Sequence, residues 1–175
     1  LVEIPAGLFA NNTKCETFEQ TFSKTKIKSI PADVFKGCSS VNSFMSCFNG
    51  CSELESIPAD LFKNSGAQGV VYGKRGAGMN MIFQGCSSLK EIPAGILDGF
   101  TRITALNSIF NGCSSLESIP SDLFKDAAAV TSFSSAFSGC TALKSIPAGV
   151  FKGLAKVTSF AGVFQGCTGI TEIGD

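Results

Sequence analysis

Apolar residues recur along the chain with a period of 27 residues, and isoleucine-proline pairs mark this period. Counted from the proline as position 0, apolar residues recur at −4, −1, +3, +4, +10, +13 and +17, and cysteine recurs at +20. A fixed period of this length is typical of a solenoid in which each coil is one repeat. The pairs are Ile4-Pro5, Ile30-Pro31, Ile57-Pro58, Ile92-Pro93, Ile119-Pro120 and Ile146-Pro147.

Each coil is predicted to contain a short strand, an extended arc and a short helix. The strand runs from −4 to −1 and ends at the proline, which cannot donate a backbone hydrogen bond. From +13 to +20 the apolar spacing i, i+3, i+4, i+7 predicts about a turn and a half of helix. A serine at +12 is expected to cap the helix, and a glycine at +19 is expected to end it in the left-handed conformation. The caps are Ser43, Ser132 and Ser159, and the glycines are Gly50, Gly112, Gly139 and Gly166.

The common −4/−1 pattern predicts seven short parallel strands in one sheet. One coil cannot bury its own apolar positions, so stacked coils are expected to place like residues over like and to build three largely phenylalanine columns at +4, +13 and +17. The predicted strands are Leu1–Ile4, Ile27–Ile30, Leu54–Ile57, Leu89–Ile92, Leu116–Ile119, Leu143–Ile146 and Ile170–Ile173.

Residues 1–175 are predicted to form a single solenoid domain with one insertion. In the third unit eight extra residues lie within residues 63–78, and such insertions become surface loops, often on a binding face. This loop holds the only tyrosine of the chain, Tyr72, and a basic pair, Lys74 and Arg75. Tyrosine and arginine are enriched where proteins bind ligands, so these three residues are the candidate ligand-binding site. The alternative is a glycine-rich loop that binds nothing.

A second candidate surface is the charge ladder, which we define as position −3 of five successive units. Its members alternate in sign: Lys28, Glu55, Lys90, Glu117 and Lys144. Parallel neighbours lie about 4.8 Å apart, so each lysine should flank a glutamate. The favoured interpretation is solvated charges that pair with one another, and the alternative is a charged surface for a partner.

The cysteines are interpreted as buried, reduced core residues. Five share position +20, where a small apolar side chain packs inside, although an even total of eight also permits disulfides. The chain has no histidine and no Cys-x-x-Cys motif, which argues against a zinc site. The five are Cys51, Cys86, Cys113, Cys140 and Cys167.

Composition narrows the function further. A net charge of zero with 16% charged residues argues against nucleic acid or an electrostatic membrane partner. Without histidine no Ser/His/Asp or Cys/His set exists, so neither an enzyme nor a cofactor is predicted. Asp33, Asp60 and Asp122 at +2 alternate with glycine, which turn chemistry explains better than calcium binding. No apolar run is long enough to span a membrane. Because the chain begins at Leu1, inside a repeat, we expect a processed protein or part of a longer one.

The run Val-Thr-Ser-Phe-x-x-x-Phe-x-Gly-Cys-x-x-Leu-x-Ser-Ile at 130–146 resembles the repeat of BspA-type leucine-rich-repeat surface proteins of bacteria. In that family a Phe-x-x-Cys or Phe-x-Gly-Cys element precedes each Leu-x-x-Leu/Ile strand. The resemblance implies an α/β repeat fold, a right-handed leucine-rich-repeat-like solenoid with short helices or turns opposite the sheet. It also implies a cell-surface or secreted monomer that binds a protein or glycan ligand. A structural spacer without a ligand of its own is the alternative.

Overall fold

The computed structural model describes residues 1–63, 65 and 78–174, and this part of the chain winds into stacked coils. We number the coils 1 to 6 after their prolines. Backbone bonds join residues one repeat apart: the Phe133 N–H donates to the Ser159 carbonyl at 3.0 Å, and the Lys144 N–H donates to the Glu117 carbonyl at 3.2 Å. The predicted solenoid is therefore the architecture of the chain.

The regular sheet is much smaller than predicted. Within the described residues, strands β1 (Ser145–Ile146) and β2 (Glu172–Ile173) pair in parallel, with Ser145 opposite Glu172. Single backbone bonds link other predicted strands, for example from the Glu55 N–H to the Lys28 carbonyl at 2.9 Å. The seven-strand prediction is not confirmed. Isolated parallel bridges occur elsewhere, at Thr17–Ser43, Ala105–Ser132 and Ser132–Ser159.

The spacing of the buried residues explains why these segments are not regular strands. Leu116 and Ile119 are both buried, while Glu117 and Ser118 between them are exposed. Side chains of a strand alternate between two faces, so residues three apart point to opposite sides. A segment that buries both ends must therefore depart from the strand path, and the proline that follows removes a further donor.

The segments predicted as helices are runs of β-turns. In coil 2, turns 44–47 and 48–51 follow one another, and in each the N–H of the fourth residue bonds the carbonyl of the first, at 3.0 and 3.2 Å. Their third residues, Ser46 and Gly50, have φ of 56° and 72°. A positive φ at this position defines a class of β-turn and excludes an α-helix. The turns repeat every four residues, which produces the same i, i+4 apolar spacing as a helix.

The turn runs direct backbone donors along the stack. In coil 5 every second N–H donates to the next coil, whereas a helix would use those donors internally. The predicted caps do open the runs, since the Ser132 hydroxyl accepts from the Ser134 N–H at 3.4 Å. The left-handed glycines at +19 are confirmed, with Gly139 at a φ of 74°. The four bonds run from Phe133, Ser135, Phe137 and Gly139 to Ser159, Ala161, Val163 and Gln165.

The hydrophobic core follows the predicted columns. In the +17 column each phenylalanine ring stacks on the next, with centroids 5.5–5.7 Å apart. The +13 column begins and ends with phenylalanine, and Met79 and Leu106 fill its middle without exposure. At the C-terminal end Phe160 is 43% exposed, because the described residues place no further turn run over it.

Register is normal on both sides of the insertion. Ser65 is buried at +7, and its N–H bonds the Phe62 carbonyl at 3.2 Å, as the Ala127 N–H bonds the Phe124 carbonyl at 2.9 Å. Met79 is fully buried in the +13 column. The eight extra residues therefore lie between 65 and 79.

Deleting residues 68–75 is expected to leave the free energy of unfolding within about 1 kcal/mol of the parent value, because shortening a loop changes its closure entropy only slightly. The deletion places Met79 at the same distance from its proline as Phe133 in coil 5. Urea unfolding followed by circular dichroism measures the change. As a control, deletion of residues 130–137 removes core positions and should unfold the chain. Unfolding of the 68–75 variant would show that the insertion is packed structure.

Candidate functional site

The predicted ligand site lies outside the described residues. Tyr72, Lys74 and Arg75 all fall within 66–77, so their assignment stays a prediction. The described residues around it, Phe62 and Met79, belong to the core. The other candidate surfaces can be built from their contacts.

The charge ladder is adjacent as predicted but largely unpaired. The Lys144 Nζ lies 3.1 Å from the Glu117 Oε2, and both side chains are mostly exposed. Among the described residues, Lys28, Glu55 and Lys90 form no ion pair within 4.0 Å. Exposed pairs gain little over hydration, which explains why adjacency alone does not close them. The expectation that each lysine pairs with a glutamate is therefore wrong for these three residues, whose charges face solvent.

The aspartates after the prolines serve turns and ion pairs. Asp33 Oδ1 accepts a hydrogen bond from the Gly7 N–H at 3.1 Å, in the preceding coil. Asp98 Oδ2 and Asp122 Oδ2 lie 3.0 and 3.5 Å from Lys125 Nζ. The hydrogen bond to Asp98 raises the pKa of Lys125 above its ordinary value. Within the part of the chain that the structure describes, no three His, Cys, Asp or Glu residues converge to hold a metal ion.

The cysteines at +20 form a column of thiols that donate to backbone carbonyls. Cys113 Sγ donates to the Phe83 carbonyl at 3.2 Å, and Cys140 Sγ donates to the Phe110 carbonyl at 3.3 Å. Four of the five column members are buried as predicted, and Cys167 in the last coil is half-buried. Burial raises the pKa of Cys113, and it raises the pKa of Cys140 to about 12. Because the thiolate is the reactive form, these side chains are poor nucleophiles and metal ligands.

No family model and no curated protein matches the chain. The chain is similar to solved leucine-rich-repeat proteins of bacteria. One is the T. pallidum leucine-rich-repeat protein, with 21% identity and a TM-score of 0.45, over 85% of this chain and 63% of that one. Another comes from Bacteroides ovatus, with 21% identity and a TM-score of 0.41, over 100% of this chain and 41% of that one. This chain therefore spans less than two thirds of either protein.

A third solved structure is described as a leucine-rich cell surface protein from Faecalibacterium prausnitzii. It is 14% identical with a TM-score of 0.21, over 99% of this chain and 76% of that one. In the present chain, no helix of the described residues is long and apolar enough to cross a membrane.

One side of the solenoid carries no charge, a feature that the sequence patterns above do not single out. We call it the charge-free face. It is made of the turn runs and their flanks in coils 3 to 6, and it contains no Asp, Glu, Lys or Arg. Placing every charged residue on the repeat register would have shown it, because all charges after residue 53 lie on the strands, the post-proline segments and the insertion. The face comprises residues 78–89, 103–116, 127–143 and 157–171.

Amide and hydroxyl side chains connect the coils on this face. Asn80 Oδ1 accepts from the Asn107 N–H at 2.8 Å, and Asn107 Oδ1 accepts from the Ser134 N–H at 3.1 Å. Thr131 Oγ1 donates to the Thr104 carbonyl at 3.0 Å. These bonds fix the backbone of neighbouring coils, so the remaining polar groups of the face are presented by a rigid support.

Proposed function

We propose that this chain is a non-enzymatic binding module of a cell-surface or secreted bacterial protein of the BspA-type leucine-rich-repeat class, and that its repeat surface takes a protein or glycan ligand. The observation that carries this proposal is the charge ladder. Three of its members are exposed and form no ion pair within the described residues. The repeat motif at 130–146 supports the class and the location.

The solenoid holds these charges ready for a partner. Glu55 and Lys28 are joined through their backbones at 2.9 Å, so their side chains start from fixed points in adjacent coils. Preorganised charges of both signs favour specificity and fast association more than raw affinity. A solvated, self-neutralised ladder would instead suit a spacer, and the Lys144–Glu117 pair is the one observation in favour of that function.

The ladder proposal predicts that the triple variant Lys28→Glu/Glu55→Lys/Lys90→Glu weakens ligand binding at least about tenfold, because each partner charge then meets a like charge. A screen of immobilised host extracellular proteins and glycans identifies the ligand, and surface plasmon resonance at low and high salt measures affinity. The affinity should also fall as salt screens the exposed charges. Lys152→Glu, an exposed lysine at +5, is the matched control.

A second variant tests the insertion separately. Tyr72→Ala/Lys74→Ala/Arg75→Ala should weaken binding if the loop contributes, and binding equal to the parent would place the site on the ladder alone. If no ligand is bound by the parent at any salt concentration, the binding module is rejected in favour of the spacer.

A further inference from the structure

We propose that the charge-free face is a second binding surface, separate from the charge ladder, and that its ligand is a neutral, hydroxyl-rich polymer of the polysaccharide class. The inference goes beyond the ladder proposal, since it concerns other residues and predicts the opposite response to salt.

The absence of charge on this face is not a requirement of the fold. Coil 1 follows the same path and forms the same bonds to its neighbour, for example from the Phe22 N–H to the Cys47 carbonyl at 2.9 Å. At equivalent positions it carries Glu16, Glu19 and Lys24, and Lys24 adopts the positive φ of 58° that glycine adopts elsewhere. The turn run therefore accepts charged side chains. Their exclusion from four consecutive coils calls for another reason, and a ligand without charge supplies one.

The outward side chains of the face offer neutral hydrogen-bonding groups in register. Ser108, Ser135 and Ser138 are half-buried, and their hydroxyls make no hydrogen bond within the described part of the chain. A hydroxyl both donates and accepts, as a sugar hydroxyl does. Similar groups lie at the same positions of adjacent coils: Asn111, Ser138 and Gln165 at +18, and Ser114, Thr141 and Thr168 at +21.

A row of glycines beside these groups keeps the face flat. Gly112 and Gly139 have φ of 73° and 74°, and a Cβ added to Gly139 would lie 3.5 Å from the Gly112 Cα. With no side chain along this row, a ligand can approach the backbone directly. The full row at +19 is Gly50, Gly85, Gly112, Gly139 and Gly166.

Repetition suits a polymer better than a compact ligand. The stacked rings show that successive coils follow at steps of about 5.5–5.7 Å, so the same groups recur along the axis. A polymer that repeats its own hydroxyls can bind several coils at once, and many weak contacts then act together. Protein interfaces are enriched in Tyr, Trp and Arg, residue types that the charge-free face lacks altogether. Anionic polymers find no cation there.

The test is retention of the purified chain on insoluble cellulose and chitin, with alginate beads as the anionic comparison. We expect retention on at least one neutral polysaccharide, unchanged between low and high salt because neutral contacts are not screened. The variant Ser138→Glu/Gln165→Glu should lower the retained fraction at least about tenfold, since it buries charge against a neutral ligand. The matched control Ser118→Glu/Ser145→Glu adds the same charges on the strand side and should bind as the parent does.

A milder variant guards against misfolding. Ser108→Ala/Ser135→Ala/Ser138→Ala removes three hydroxyls without adding charge, and it should also weaken retention while circular dichroism matches the parent. Absence of retention on every neutral polysaccharide, equal retention by the face and control variants, loss of retention in salt, or binding only to immobilised protein would each overturn the proposal. The Lys28→Glu/Glu55→Lys/Lys90→Glu variant should retain neutral polysaccharide fully, so failure of the ladder proposal and of this one are distinguishable.

Discussion

Phe137→Ala is expected to lower the free energy of unfolding by about 3–5 kcal/mol, the range for removing a fully buried ring from a packed core. Phe137 has no solvent exposure. Its ring stacks on Phe110 at 5.7 Å and on Phe164 at 5.6 Å, and Phe124 lies 6.1 Å away. The surrounding coils are tied to one another through backbone bonds, so they cannot collapse into the cavity without breaking their register.

Chemical denaturation measures this loss, and Phe160→Ala is the matched control. Phe160 occupies the neighbouring column at the C-terminal end, is 43% exposed, and has its stacked neighbour, Phe133, on one side. Its truncation should cost no more than about 2 kcal/mol, because part of the ring already faces water. Equal losses for the two variants would mean that the columns do not act as a continuous core.

Raising the pH above about 9 is expected to destabilise the fold through the buried thiols. Burial raises the pKa of Cys140 from the ordinary 9.0 to about 12, and it also raises the pKa of Cys113. Below pH 9 both the folded and the unfolded chain keep these protons, so the stabilisation is complete. As the pH rises through 9, the unfolded chain releases protons that the folded chain retains, and unfolding is favoured by up to about 1.4 kcal/mol per pH unit for each thiol.

Urea unfolding between pH 8 and pH 10.5 tests this expectation, and Cys113→Ala/Cys140→Ala should show a shallower fall of stability with pH than the parent. The lysine ion pairs, such as Lys125 with Asp98, weaken over the same range in both proteins and cancel in the comparison. Alkylation of the unfolded, unreduced protein followed by mass spectrometry verifies beforehand that the thiols are free. Identical pH slopes would show that the column thiols do not contribute.

The sequence was sufficient to predict which residues lie over one another, because a side chain's place in the stack depends only on its position in the repeat. Phe137 under Phe164 and Cys113 beside Cys140 follow from the period alone. It was not sufficient to separate helix from tandem turns. Four-residue turns and a helical period of 3.6 residues bury nearly the same positions, and the choice depends on where backbone donors find acceptors. Those acceptors belong to the next coil, so local spacing does not reveal them.

The candidate surfaces show the same division. Adjacency of Lys28 and Glu55 followed from the repeat, but their failure to pair follows from hydration of exposed side chains, which no spacing encodes. The charge-free face was present in the sequence throughout. It becomes visible only when residues such as Ser138 and Gln165 are assigned to one side of a coil, which requires the turn run to be known.

The interlocking of thiol, ring and backbone contacts at one constant offset has a genetic consequence. Phe110, Phe137 and Phe164 are related by the same 27-residue step as the bonds of their backbones. A duplication or excision of 27 residues by unequal recombination would therefore recreate every inter-coil contact at the new junction, wherever in the unit the breakpoints fall. Array length can drift between generations without loss of folding, while a frame-preserving change of any other length must be expelled from the stack as a loop, as residues 63–78 record.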